Sequence, residues 1–124
     1  MAAIKATIAQ VGQRQDQAAM TAVWADVTSA DTFVPLSLFP DYTLKTIHVS
    51  GTFGSATVIL GGSYTGVTYL GLNDLQDNAI SITSEGLAAV QEQTLYYKPS
   101  ASGGGGSQSL TVTLLFSRSI VPRG

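Results

Sequence analysis

The chain is poor in charge for its length, with six Lys or Arg and eight Asp or Glu among 124 residues, or 11 %, against 44 % hydrophobic residues. The net charge is −2 and no basic cluster occurs, which excludes the positively charged surface of a nucleic-acid-binding domain. The apolar runs are only a few residues long, which excludes a membrane-spanning segment. The absence of Cys excludes disulfides and thiolate metal sites, and so few charges predict an exterior that is partly covered by other protein.

Residues 1–18 are predicted to form an N-terminal arm. Its first half, 4–11, has the composition of a short strand. The second half contains Gln10, Gln13, Gln15 and Gln17 and has no apolar stripe to bury. A flexible arm, an arm that orders on a neighbouring subunit and a short surface helix are all compatible with this pattern, and we favour an arm.

Residues 19–118 are predicted to form a single domain built of short strands. The predicted strands cover residues 20–27, 33–39 with a break at Pro35, 45–52, 56–60, 68–72, 79–83, 95–99 and 110–116. Residues 84–90 are predicted to form one helical turn, because Ser84 suits a helix N-cap and Glu85 suits the positive end of the helix dipole. Residues 119–124 are predicted to be a C-terminal tail, which resembles part of a protease-cleavage tag.

Strands that recur about every 8–12 residues, separated by turns rich in Gly, Asn and Asp, are typical of β-sandwiches. The fold class predicted for this chain is therefore all-β, an antiparallel β-sandwich of jelly-roll type with about eight strands. A single closed barrel is the less favoured alternative.

Few residues are candidates for chemistry. His48, the only histidine, lies on the polar face of a predicted strand, where a solvated or interface role is more common than catalysis or zinc binding. Asp74 and Asp77 could share a calcium ion, but Asp and Asn also make ordinary turns, and we favour a turn. Glu85 and Glu92 could form an acid/base pair for glycoside hydrolysis, although solvated surface positions are favoured. The sequence thus predicts a non-enzymatic protein without a metal or cofactor.

The aromatic residues suggest a second class of function. Trp24, Tyr42, Tyr64, Tyr69, Tyr96 and Tyr97 could line a sugar-binding face, although core or interface positions explain them equally well. The glycine run at 103–106 has neither the following Lys nor the helix of a phosphate-binding loop, so it predicts an ordinary loop.

Three segments resemble a known group of proteins. The sequences VSGTFGSATV at 49–58, LGGS at 60–63 and LTVTLL at 110–115 are similar to small proteins encoded beside the capsid genes of tailed bacteriophages. The resemblance covers roughly residues 46–118. It departs from the group at 63–66, where Asn-Asp is expected, and at Tyr69, which stands near the position of an expected Trp.

The resemblance implies a virion structural protein, namely a capsid decoration or cement protein that is made in the host cytoplasm and sits on the capsid exterior. It implies the major capsid protein and further copies of the same chain, commonly in a homotrimer, as partners. Residues predicted to lie in interfaces are Ile4, Ile8, Gln10, Gln13, Gln15, Gln17, Trp24, Phe53, Tyr64 and Tyr69. The alternative is a carbohydrate-binding or host-attachment sandwich of a head or tail fibre.

Overall fold

The computed structural model describes residues 3–10, 19–38, 42–92 and 94–118, and these residues contain eleven strands and no helix. The strands are β1 (Ala3–Ile4), β2 (Thr7–Gln10), β3 (Ala19–Val27), β4 (Thr32–Phe33), β5 (Leu36–Ser37), β6 (Tyr42–Thr52), β7 (Thr57–Ser63), β8 (Leu70–Gly71), β9 (Gly86–Ala89), β10 (Tyr96–Ser102) and β11 (Ser109–Arg118). The predicted all-β class is confirmed.

Two sheets form the sandwich. The larger sheet has the strand order β2-β3-β11-β6-β9 and the smaller sheet has the order β5-β10-β7-β8. The pairs β3/β11, β5/β10, β6/β9 and β7/β8 are all antiparallel and are nested along the chain, one inside the next. Nested pairing of eight strands shared between two sheets is the topology of a jelly roll, as predicted.

The core lies between the two sheets and follows from the alternation along each strand. In β11, Leu110, Val112 and Leu114 are fully buried, whereas the intervening residues face outward. The buried positions of β6 and β7 complete the same layer, with Ile47, Val49, Val58 and Leu60. Because successive side chains of a strand point to opposite faces, the period-two pattern fixes which residues meet in the core.

Trp24 belongs to this core and not to the surface. Its side chain is fully buried, its Nε1 donates a hydrogen bond to the Val34 carbonyl at 3.0 Å, and its ring meets Phe33 edge to face with centroids 6.2 Å apart. The indole therefore fills the layer between the sheets while its only donor is satisfied by backbone. This placement removes Trp24 from the predicted interface residues.

The predicted helical turn at 84–90 is wrong, because residues Gly86–Ala89 form edge strand β9. Ala88 pairs with Ile47 and faces inward, whereas Leu87 pairs with His48 and faces outward. Glycine is a poor helix residue, and pairing with β6 gives this short segment backbone partners that a single isolated turn would lack.

Several predicted strands differ in extent. The predicted strand at 33–39 is divided into β4 and β5, with Pro35 between them. Residues 79–83 make only isolated bridges, Asn73 with Ala79 and Val58 with Ile82. The glycine run forms a loop, as predicted, and it joins β10 of the smaller sheet to β11 of the larger sheet.

The first part of the predicted arm pairs with the sandwich. β1 runs parallel to β4, and β2 adds to the larger sheet beside β3. Ile4 is partly buried against the core. Gln13, Gln15 and Gln17 lie outside the described residues, as does the predicted tail at 119–124.

Lys45 occupies an inward position of β6, opposite Phe116 of β11, and only 3 % of it is exposed. Its Nζ lies 5.5 Å from the centroid of the Tyr97 ring. Burial lowers the pKa of Lys45 below its ordinary value of 10.5, because desolvation disfavours the charged ammonium.

This burial makes the folding stability depend on pH. Between the lowered folded pKa and 10.5 the unfolded chain holds more protons than the folded one, so stability rises with pH across that window. We expect the unfolding free energy of the wild type to rise relative to that of Lys45→Met as the pH increases from neutrality towards 10.5. Urea titrations at several pH values measure the difference, and parallel pH profiles for the two proteins would contradict this account.

Candidate functional site

The outward side of the larger sheet, which we call the larger-sheet face, is almost free of ionisable groups. Its two central rows run across all five strands. One row consists of Thr7, Val23, Thr113, His48 and Leu87, and the other of Ala9, Thr21, Leu115, Thr46 and Ala89. None of these residues is Asp, Glu, Lys or Arg, which is unusual because exposed sheet faces normally carry charges.

Most outward positions beside the two rows continue the same character, and the exception is Asp26, an exposed residue of β3 whose amide donates to the Thr111 hydroxyl at 3.5 Å. Thr111 pairs with Ser50, and Ser117 lies between Ala19 and Leu44. Leu44, Leu87 and Leu115 are all exposed on this face. The larger-sheet face is therefore a broad surface of hydroxyl, methyl and leucine side chains.

His48 is the only ionisable residue in the two central rows. Its Nε2 lies 3.6 Å from Oε2 of Glu85, a largely exposed carboxylate just before β9. The contact is an ion pair only when the imidazole is protonated. His48 lies on an open face and lines neither of the two grooves described below.

The connection between β7 and β8 forms a second exposed apolar surface, the apolar loop, made of Tyr64, Val67 and Leu70. Their exposed fractions are 69 %, 83 % and 70 %. Val67 is thus more exposed than any other large hydrophobic residue in the described part of the chain.

Hydrogen bonds hold the backbone of the apolar loop. The buried Ser63 hydroxyl accepts hydrogen bonds from the Thr65 and Gly66 amides at 3.1 and 2.9 Å. Gly66 has a φ of 81°, and a Cβ there would stand 3.5 Å from the Tyr96 ring. The Ser63 turn and the positive φ at Gly66 shape the loop so that its apolar side chains lie outward.

A groove of about 530 Å³ lies beside this loop. Its lining includes Gly62, Tyr64, Leu70, Leu72, Glu92 and Thr94. Oε1 of Glu92 accepts a hydrogen bond from the Asn73 amide at 2.6 Å, and the Thr94 hydroxyl donates to the Tyr96 carbonyl at 3.0 Å. The groove is thus mainly apolar, with one carboxylate and a few hydroxyls.

Tyr69 covers the outer side of the smaller sheet at Gly61. A Cβ at Gly61 would stand 3.3 Å from Cβ of Tyr69, so glycine permits the ring's close approach. Nζ of Lys98 lies 4.5 Å from the ring centroid, a cation–π contact. Burial, and secondarily the neighbouring Tyr96, raises the pKa of the Tyr69 hydroxyl. Tyr69 therefore has a structural role on this sheet.

A second groove, of about 400 Å³, follows β10 between the turn at 29–33 and the loop at 103–104. Among the described residues, β5 pairs with β10 only at Tyr96 and Tyr97, so the remainder of that side is a strand edge. Pro99 lies within the β10 segment paired with β7, and its missing N–H falls on the free edge. Proline at this position hinders another strand from pairing there.

The acidic loop at 73–78 is an ordinary turn. Oδ1 of Asp74 accepts hydrogen bonds from the amides of Gln76 and Asn78, and Oδ1 of Asp77 accepts one from Nδ2 of Asn73. The carboxylates therefore stabilise the loop's own backbone and side chains. Within the described ranges, no three His, Asp or Glu side chains cluster closely enough to hold a metal ion.

The structure does not gather the predicted interface residues into one place. Ile8 and Tyr64 are exposed, Ile4 and Phe53 pack against the core, and Tyr69 covers the smaller sheet. Gln10 lies in β2, but its side chain is outside the described set. Val67, Leu70 and the outward leucines were not among the residues predicted from the sequence. A signal was available, because residues 46–73 contain no Asp, Glu, Lys or Arg.

Comparisons with known proteins add no assignment: no family model, no curated protein and no solved structure significantly matches the chain. No helix long and apolar enough to cross a bilayer occurs in the described segments.

Two glycines of the groove give a matched test of its packing. A Cβ at Gly62 would stand 2.7 Å from Oγ1 of Thr94 and 2.8 Å from Cδ2 of Leu72, whereas nothing lies within 4 Å of one at Gly71. We expect Gly62→Ala to lower the free energy of unfolding by about 1–3 kcal/mol through overpacking, and Gly71→Ala to change it by less than about 1 kcal/mol. Urea denaturation measures both, and equal effects would show that the floor of the groove is not closely packed.

Proposed function

We propose that this chain is a non-enzymatic structural protein of a tailed-phage virion that binds the capsid exterior and stabilises the shell. The proposal joins the sequence resemblance to one observation of the structure. That observation is the larger-sheet face, whose central rows contain no Asp, Glu, Lys or Arg.

An uncharged face of this size fits a permanent protein contact. Three central strands paired over about 27 Å and two outer strands paired over about 13 Å, at a spacing of about 4.8 Å, give roughly 500 Å². At about 25 cal/mol per Å² of apolar area, burying this surface contributes at most on the order of 10 kcal/mol, because hydroxyl groups make up part of it, before association costs of about 4–15 kcal/mol. The net gain from one contact is small, so stable attachment needs several contacts per particle site.

The proposed partners are the major capsid protein and other copies of this chain, in a homotrimer at a symmetric capsid site. Jelly-roll sandwiches occur in capsid proteins and also in lectins, so the fold is compatible with the proposal but does not select it. A symmetric oligomer presents several identical contacts to the shell at once, and binding at one then raises the effective concentration of the others.

We expect the purified protein to co-sediment with empty capsids built from its proposed partner, a tailed-phage major capsid protein, and to raise their rupture temperature. Because the proposed contact surface is uncharged, binding should change less than about threefold between about 0.05 and 0.5 M salt. Sedimentation at a series of salt concentrations measures this. Absence of binding, or binding that disappears at high salt, would contradict the proposal.

The groove beside Tyr64 favours a second candidate, a carbohydrate-binding module of a head or tail fibre. The groove combines an exposed aromatic ring with the Glu92 carboxylate and the Thr94 hydroxyl, groups that can stack on and hydrogen-bond to a sugar.

A titration against host polysaccharide distinguishes the two candidates. A glycan-binding module would show saturable binding that Tyr64→Ala abolishes and Tyr96→Phe preserves, with no affinity for empty capsids. A decoration protein would bind capsids and give no glycan signal. Tyr96→Phe is the matched control because it keeps the ring that packs beside Gly66.

A further inference from the structure

The groove of about 530 Å³ beside the apolar loop contains one carboxylate, that of Glu92, which is partly buried. None of the described residues that line the groove is Lys, Arg or His. All of them come from residues 62–94, a segment without Lys, Arg or His that contains the acidic residues Asp74, Asp77, Glu85 and Glu92. The electrostatic potential of the groove is therefore negative, and the charged group that it can accept is a cation.

The lysines that flank this segment in the chain lie against other groups. Nζ of Lys45 is 5.5 Å from the centroid of the Tyr97 ring, and Nζ of Lys98 is 4.5 Å from the centroid of the Tyr69 ring. Neither lysine lines the groove. A cation that pairs with Glu92 must therefore come from another molecule.

One oxygen of the Glu92 carboxylate is held by the protein and the other is available to a ligand. Oε1 accepts a hydrogen bond from the Asn73 amide at 2.6 Å, which fixes the carboxylate at the edge of the groove. Among the described residues, Oε2 has no hydrogen-bond or ion-pair partner. A partly buried carboxylate oxygen of this kind is a strong acceptor for a charged donor.

Three hydroxyl groups of the groove are engaged within the protein. The Ser63 and Thr65 hydroxyls accept hydrogen bonds from backbone amides of the connection between β7 and β8, and the Thr94 hydroxyl donates to a backbone carbonyl. Leu70 and Leu72 supply apolar lining. The groove thus suits one cationic group on an apolar chain better than a ligand that carries many hydroxyls.

We propose that this groove binds the side chain of a lysine that belongs to a partner protein. The lysine ammonium contacts Oε2 of Glu92 and the aliphatic stem lies along Leu70 and Leu72, since lysine side chains readily bury their stems against apolar surface. Lysine fits better than arginine, because a bidentate guanidinium needs both carboxylate oxygens and the Asn73 amide already occupies one. This site is separate from the larger-sheet face, and the inference does not depend on the proposed function.

Binding is measured by NMR with Nα-acetyl-lysine N-methylamide as the probe. The backbone amide resonance of Asn73 reports on the site directly, because this amide donates to Glu92. We expect saturable shifts with a dissociation constant in the millimolar range. The Nε-acetylated probe keeps the stem and lacks the charge, so it should bind at least about tenfold more weakly.

Glu92→Gln removes the charge and keeps an oxygen that can accept from the Asn73 amide. It should weaken binding of the lysine probe by about tenfold or more. Glu85→Gln is the matched control, because it makes the same change in net charge at a carboxylate beside His48 that does not line the groove. At about 0.15 M salt this control should leave the dissociation constant within about twofold of the wild type.

The inference is overturned if the charged and acetylated probes shift the Asn73 resonance equally. It is also overturned if Glu85→Gln weakens binding as much as Glu92→Gln, which would indicate a general attraction of cations to an acidic protein. If Glu92→Gln does not fold, the comparison of the two probes on the wild type decides.

Other ligands are named outcomes that count against the inference. Tighter binding of Nα-acetyl-arginine N-methylamide would reject lysine as the occupant, and tighter binding of cadaverine would indicate a free polyamine. Saturable binding of host polysaccharide without a response to the lysine probe would assign the groove to a sugar. Capsid binding is measured separately, so either proposal can fail while the other stands.

Discussion

The structure depends on the burial of one side of β11 between two neighbours. This strand pairs with β3 on one side and β6 on the other, and its residues Leu110, Val112 and Leu114 are fully buried. Because side chains alternate along a strand, a slip of one residue would move all three to the outside and bring Thr111 and Thr113 into the core. Burial of this row therefore fixes the register of the larger sheet.

The outer surface follows from that register. Once Ile47 and Val49 of β6 face the core, Thr46 and His48 must face outward. The same parity aligns Val23, Thr113 and Leu87 with this histidine into one outward row across β3, β11, β6 and β9, and the histidine is the only ionisable residue of the row. An uncharged surface is thus built into the central strands of the fold, and it is the feature on which the proposed function depends.

Backbone constraints determine the remaining surfaces. Ser63 and Gly66 hold the apolar loop in a conformation that exposes Val67, and Gly62 allows Thr94 and Leu72 to close the floor of the groove. These positions require small or hydroxyl-bearing residues for reasons of geometry. Substitutions there would alter the exposed surfaces without changing the composition of the core.

The sequence by itself determined the all-β class and most of the strands, because period-two alternation and turn residues are local properties. The number and spacing of those strands predicted a jelly-roll sandwich, and the nested pairing of the strands confirmed it. It also indicated that the exterior is poor in charge. Only the tertiary structure decided that Gly86–Ala89 is an edge strand, that Trp24 is buried, and that Leu115, Leu87 and Val67 are exposed. Burial depends on which strands become neighbours and on which side each row faces. These are non-local pairings that a single strand's pattern does not contain.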